Sequence, residues 1–130
     1  MIGRFVVYGA GAIGGVIGAR LHQRGYDVAL IARGAHFEAI RDRGLRFEAP
    51  DGTVDLAIPV FDRPGAVGLT GDDVVLLAMK SQDTEDALRA LAASAPPETA
   101  VACVQNGVAN ERAALRMFAT VHAITFASLK

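Results

Sequence analysis

What the 130-residue chain has little of narrows its class first. There is one cysteine, Cys103, so an internal disulfide and a cysteine-rich metal site are both excluded. Neither charge is in surplus: Lys plus Arg is 13, Asp plus Glu is 14, and the formal net charge is -1. That balance argues against a dedicated nucleic-acid binder, which usually shows a basic excess. Long apolar runs are missing as well. The longest are strand-length and are broken by Arg, Asp or Gly, so no membrane span is expected. Met1 to Tyr8 lacks the charged, then apolar, then small plan of a secretory leader, so the expected compartment is the cytoplasm. His22, His36 and His122 are not spaced as metal ligands with Cys or carboxylates, and no Ser sits in a G-x-S-x-G elbow.

What is present is a core. Hydrophobic residues make up 52% and charged residues 21%, which excludes intrinsic disorder. A chain of this length forms one domain that buries roughly two-thirds of its unfolded surface. The elements alternate. Arg4 to Tyr8 reads as a buried strand, followed at once by glycines. Ile13, Val16, Ile17 and Leu21 recur at helical spacing and define an expected inner face, with Gly25 ending the helix. Asp27 to Ala32 is continuously apolar, as in a parallel sheet buried on both faces. Ala35 to Arg43 reads as a short helix ended by Gly44. Leu45 to Ala49 and Thr53 to Val60 read as a hairpin around Pro50-Asp51-Gly52. Arg63 to Asp73 reads as a connection.

The second half repeats the plan. Val74 to Met79 is a strand, and Ser81 or Asp83 caps a helix whose expected inner face is Ala87, Leu88, Leu91 and Ala92. Ala100 to Val104 is a strand with Cys103 in the core; a helix from Asn110 to Phe118 and a last strand from Val121 to Ala127 follow. Asp72, Asp73, Asp83, Glu85 and Asp86 read as solvated charges and helix N-terminal acids. The alternation implies an α/β fold: a doubly wound, mostly parallel sheet of Rossmann type in three α/β/α layers. Its ligand site is expected at the carboxyl ends of the strands.

Each candidate site residue falls at such an end. Gly9-Ala10-Gly11-Ala12-Ile13-Gly14 is a G-x-G-x-x-G pattern set between strand and helix. Gly9 permits the tight turn, Gly11 leaves room for a pyrophosphate, and Gly14 lets the helix approach the strand. The freed amides at the helix start, around Ala12 and Ile13, would hold the anion. Arg33 stands at the end of the second strand, where NAD sites usually carry an acid for the ribose 2′-hydroxyl. A guanidinium there suits a 2′-phosphate and argues for NADP(H); the other reading is a solvated arginine. Lys80 follows the Val74 to Met79 strand and either contacts phosphate or ribose or merely ends the strand. Gln105-Asn106-Gly107 follows the next strand; Asn106 can serve a hydroxyl or ribose partner, or form an ordinary turn.

With those residues placed, the chain resembles the N-terminal domain of ketopantoate reductase (2-dehydropantoate 2-reductase). The resemblance runs over essentially the whole chain and rests on VYGAGAIGG, Arg33, VVLLAMKSQDTEDAL and VQNGVANE in that order. It implies that NADPH delivers hydride to the keto group of ketopantoate. It also implies that Gly9, Gly11 and Gly14 cradle the pyrophosphate and that Arg33 and Lys80 grip the 2′-phosphate. Gln105 and Asn106 would line the same cleft, with Asn106 near the ribose, the nicotinamide and the substrate hydroxyl as the candidate catalytic residue.

The family's catalytic lysine lies in a C-terminal helical substrate domain. Residues 1–130 are therefore expected to be the NADP-binding domain without that second domain. The expected partners are NADPH and, only when the second domain is supplied, a small 2-keto acid. No nucleic acid or membrane partner is expected, and a homo-oligomer is allowed by an open sheet edge. Two other readings stay open. One is a stand-alone, non-enzymatic dinucleotide-binding or redox-sensing module. The other is a structural fragment that self-associates and has no affinity for the cofactor.

Overall fold

In the first strand, β1 (Arg4–Tyr8), side chains alternate between two faces, as strand geometry requires. Val7 enters one apolar cluster and Val6 the other. A strand that feeds two cores must be covered on both sides. The computed structural model of the protein describes residues 3–104 and 120–123. It shows that covering on both faces of a sheet.

Six strands form the sheet in the order β5-β2-β1-β6-β7-β8: β1, β2 (Val28–Ile31), β5 (Val60–Phe61), β6 (Asp73–Leu77), β7 (Ala100–Cys103) and β8 (Thr120–Ala123). Every neighbouring pair is parallel. All four residues of β2 are buried, which explains its unbroken apolarity. On one face lie α1 (Ala12–Gln23), α2 (Gly34–Arg43) and a separate antiparallel hairpin of β3 (Leu45–Ala49) and β4 (Gly52–Leu56); Ile17, Ile40, Leu45 and Phe47 join Val7 and Leu30 there. On the other face, α3 (Thr84–Ser94) sets Leu88 and Leu91 against Val6, Val75, Leu77 and Val101. The three-layer α/β/α architecture is thus the one expected. Among the described residues no helix is long and apolar enough to cross a membrane.

Four local expectations need correction. First, Thr53 to Val60 is not one strand. The alternation of Val54, Leu56, Ile58 and Val60 conceals a break, because Pro59 has no N–H for a ladder and Ile58 turns into the core. The chain returns to the main sheet instead, where Leu30 N–H donates to the Pro59 carbonyl (2.9 Å) and Ala32 N–H to that of Phe61 (3.0 Å).

Second, α1 does not bury Ile13 and Val16, which are 45% and 39% exposed. It seats Gly14, Ile17 and Gly18 on the sheet, rotated about one residue from the expected face. A Cβ on Gly18 would stand 2.8 Å from Leu30 Cδ2, so a larger residue there would have to displace the buried Leu30 side chain. Third, α3 buries Thr84, Ala87, Leu88 and Leu91 but not Ala92. The helix touches the sheet along one narrow stripe, and Ala92 lies 100° beyond Leu91. No side-chain cap bond forms at Asp83 either. The chain enters α3 through a 3-10 turn, with φ -98° and ψ -3° at Asp83, not the extended backbone that capping uses.

Fourth, Asp73 is not solvated; it is 3% exposed. The parallel register sets it beside Arg4, which donates Nε to Asp73 Oδ1 and Nη2 to Oδ2, both at 3.1 Å. Arg4 Nη2 also donates to the Gly68 carbonyl, and the Thr70 N–H donates to Asp73 Oδ2 at 2.9 Å. Burial pushes the Asp73 carboxyl up, but the Arg4 and Thr70 hydrogen bonds outweigh it and hold the group below its ordinary 3.8.

Candidate functional site

The parallel ladder places the ends of β1, β2, β5 and β6 along one rim. Single hydrogen bonds extend it one residue past the strands: Gly9 N–H to the Ile31 carbonyl (3.0 Å), Ala78 N–H to Tyr8 (2.9 Å) and Val104 N–H to Leu77 (3.0 Å). The rim is therefore hydrogen-bonded up to the point where the loops leave it. A cleft of about 790 Å³ opens there, within the size range of small-molecule sites.

The glycine motif forms its floor. Gly9 has φ +98°, and a Cβ on it would lie 2.7 Å from Met79 N, so the turn admits only glycine. A Cβ on Gly14 would collide with the Gly9 carbonyl oxygen, which explains the third glycine by packing alone. Gly11 differs. Its φ is -78°, and a Cβ there would meet nothing within 4 Å. Nothing in the fold demands glycine at that position, and the space beside it opens into the cleft.

The amides next to Gly11 are placed for an anion. The first α1 hydrogen bond runs from Gly15 N–H to the Gly11 carbonyl (2.7 Å), so the amides of Ala12, Ile13 and Gly14 precede it. Among the described residues no side chain caps this end, and no acid stands in the first turn. The helix dipole and those amides together favour a negative group in front of Gly11.

Positive side chains ring the cleft. Arg33 leaves the end of β2 at the N-cap of α2, and Lys80 follows β6. Both line the cleft, and neither has a carboxylate partner among the described residues. The structure therefore brings together Gly9, Gly11, Ala12, Ile13, Arg33 and Lys80 around the cleft, whereas Gly14 does not line it but is buried against the Gly9 carbonyl. Gln105 and Asn106 lie outside the described residues, as do the expected helix from Asn110 and positions 124–127 of the expected last strand.

Sequence reasoning missed three contributors. Tyr8 lines the cleft half-buried; burial pushes its phenol up, against the opposing charge of Arg33. Asp62 and Arg63 stand at the carboxyl end of β5. The usable signal was Pro59, which divides the hairpin from a short parallel strand and so turns the next residues into rim positions. The α3 side of the cleft is acidic, through Asp83 and Asp86. The site is thus polarised, with cations over the β2 and β6 ends, an Asp62–Arg63 pair over the β5 end and acids over α3.

Known proteins are similar to this chain over most of its length. A family model, "Ketopantoate reductase PanE/ApbA", matches residues 5–129. A 2-dehydropantoate 2-reductase of Mesorhizobium japonicum is 41% identical over 106 residues, covering 81% of this chain and 32% of that protein. One from Pyrococcus horikoshii is 40% identical over 108 residues, covering 83% and 34%. The chain thus spans about a third of the length of the curated relatives it matches. Among solved structures, a PanE/ApbA family ketopantoate reductase from Ralstonia eutropha superposes with TM-score 0.81 at 32% identity, over 94% of this chain and 40% of that one. D-mandelate dehydrogenase, solved with NADH and anilino(oxo)acetate, superposes with TM-score 0.83 at 26% identity, over the same shares. The rim, the glycine turn and a family match over nearly the whole length agree, and the chain belongs to the ketopantoate reductase PanE/ApbA family.

Proposed function

We propose that the chain is the NADP(H)-binding part of an oxidoreductase acting on 2-dehydropantoate or a related 2-keto acid. The observation that carries the reading is Gly11: a glycine that no neighbour requires, at the uncapped start of α1, with open space where a side chain would stand. A pyrophosphate explains it, because only a missing Cβ lets the anion reach the Ala12, Ile13 and Gly14 amides. The nicotinamide dinucleotide in D-mandelate dehydrogenase, on the same scaffold, supports the class of ligand.

Arg33 and Lys80 support the 2′-phosphorylated form. Each presents a positive charge to the cleft with no carboxylate partner among the described residues, and the end of β2 carries no acid to receive a free 2′-hydroxyl. Gly9 and Gly14 hold the turn. Gln105 and Asn106 follow the β7 end and would supply amide groups to the ribose and the reacting groups. NADPH, when bound, supplies the hydride that turns a keto carbon into an alcohol.

Among the described residues, Lys80 is the only lysine that lines the cleft. A reduction also needs a positioned proton donor and a site that excludes water. Those parts belong to the rest of the family's longer proteins, so these 130 residues bind the cofactor and do not reduce 2-dehydropantoate alone.

Fluorescence titration of the chain with NADPH and NADH tests the reading. NADPH should bind at least tenfold tighter. NADH binding as tightly overturns the roles of Arg33 and Lys80, and steady reduction of 2-dehydropantoate by the 130 residues overturns the division of labour.

A further inference from the structure

We infer that Arg63 is a further specificity-determining residue of this cleft, one that a 2′-phosphate draws away from Asp62. The inference rests on the proposed NADP(H) reading and extends it to a residue with no motif to mark it.

The strand register carries the argument. Ile31 of β2 pairs with Phe61 of β5. Arg33 stands two residues beyond the first and Arg63 two residues beyond the second. Ala32 N–H donates to the Phe61 carbonyl, so the two strands are still joined one step past the pair. Neighbouring strands lie about 4.8 Å apart, so two guanidinium-bearing residues leave adjacent strand ends at the same level. Both line the same cleft, with Lys80 across β1 from them.

Like charges so placed repel one another unless an anion lies between them. Among the described residues, the one carboxylate bonded to Arg63 is weakly held. Arg63 Nη1 donates to Asp62 Oδ1 at 3.1 Å, between side chains that are 70% and 47% exposed. An exposed pair of sequence neighbours holds its partner loosely. A phosphate monoester carries close to two charges and three acceptor oxygens, against one charge for Asp62. It would therefore take the guanidinium, in the forked geometry arginine offers. Asp62 then has two effects: it quiets the Arg33–Arg63 repulsion when no dinucleotide is bound, and it competes with the phosphate when one is.

The test is titration of the chain and its Arg63→Gln, Arg63→Lys and Asp62→Asn variants with NADPH and NADH at two salt concentrations. Thermal melts check that each exposed substitution leaves the fold intact. Arg63→Gln should weaken NADPH roughly 5- to 10-fold and leave NADH within twofold. Arg63→Lys should recover part of that loss. The salt dependence of NADPH binding should flatten in Arg63→Gln, since one screened contact is gone. Asp62→Asn should tighten NADPH about two- to threefold with NADH unchanged. Equal weakening of both dinucleotides by Arg63→Gln would mean that the guanidinium rests on the adenine, and overturns the assignment. No effect on either overturns it too, and an unchanged Asp62→Asn overturns the exchange. A wild-type chain that binds neither dinucleotide overturns the underlying reading, and the assignment with it. A wild-type chain that prefers NADPH while Arg63→Gln does not alter the preference overturns the assignment alone.

Discussion

The two ends of the sheet treat charge in opposite ways. At the amino ends of β1 and β6, Arg4 and Asp73 pair with each other, and backbone groups at Gly68 and Thr70 complete the set. At the carboxyl ends, Arg33 and Lys80 project into a cleft with no carboxylate of their own among the described residues, and Arg63 has only its exposed neighbour. The glycines divide the same way inside the carboxyl-end loop. Gly9 and Gly14 answer to protein atoms, whereas Gly11 answers to open space. Groups that hold the fold are satisfied internally; the groups proposed to meet a ligand are not.

Substitutions should separate the two ends. The largest effect is expected at the amino end. Asp73→Ala leaves a mostly buried Arg4 without its counter-charge and should cost about 3 kcal/mol of stability by urea unfolding. The pH dependence follows from the same pair. The Asp73 carboxyl is held below its unfolded value, so its contribution is present above the ordinary 3.8 and is lost as pH falls through the lower, folded value. The acid limb of the stability profile should be shallower in Asp73→Ala, and an unchanged limb would assign acid sensitivity to other carboxylates.

Next come the paired glycine substitutions. Gly14→Ala must displace the Gly9 carbonyl and should cost about 1–3 kcal/mol in stability. Gly11→Ala should leave the melting temperature nearly unchanged and weaken NADPH instead. A stability loss at Gly11 equal to that at Gly14 would remove the distinction between them. Arg33→Asp should leave stability alone and weaken NADPH by on the order of 1–3 kcal/mol, through a lost charge-assisted bond and added repulsion; NADH should be affected less. The smallest effect is expected at Val16, which α1 leaves exposed: Val16→Ser should change stability by less than about 0.5 kcal/mol. A larger loss would restore the inner face that helical spacing first suggested. Light scattering on the same variant reports whether this apolar surface drives self-association.

Much of this was legible in the chain itself because the signals are local. Continuous apolar runs marked β2, β6 and β7, and Gly44 marked the end of α2 with φ +91°. The strand-glycine-helix order located the cleft, because a parallel sheet always carries its ligand rim at the carboxyl ends. Arg33 and Lys80 were found by that rule alone. What escaped was decided by packing between distant segments. Asp73 looks like any surface acid beside Asp72 until the register sets it against Arg4. Ile13 and Val16 carry the right period for a core, yet close seating on Gly14 and Gly18 turns them outward.

The sequence by itself therefore determined the fold class, the glycine turn and the two motif cations, since each depends on residues adjacent in the chain or on a rule of strand ends. The tertiary structure decided which charges are consumed by the fold and which stay available. That choice depends on strand register: Arg4 with Asp73 at one end, and Arg33 level with Arg63 at the other. Register is set by pairing across 30 to 69 residues of chain, and no local pattern encodes it.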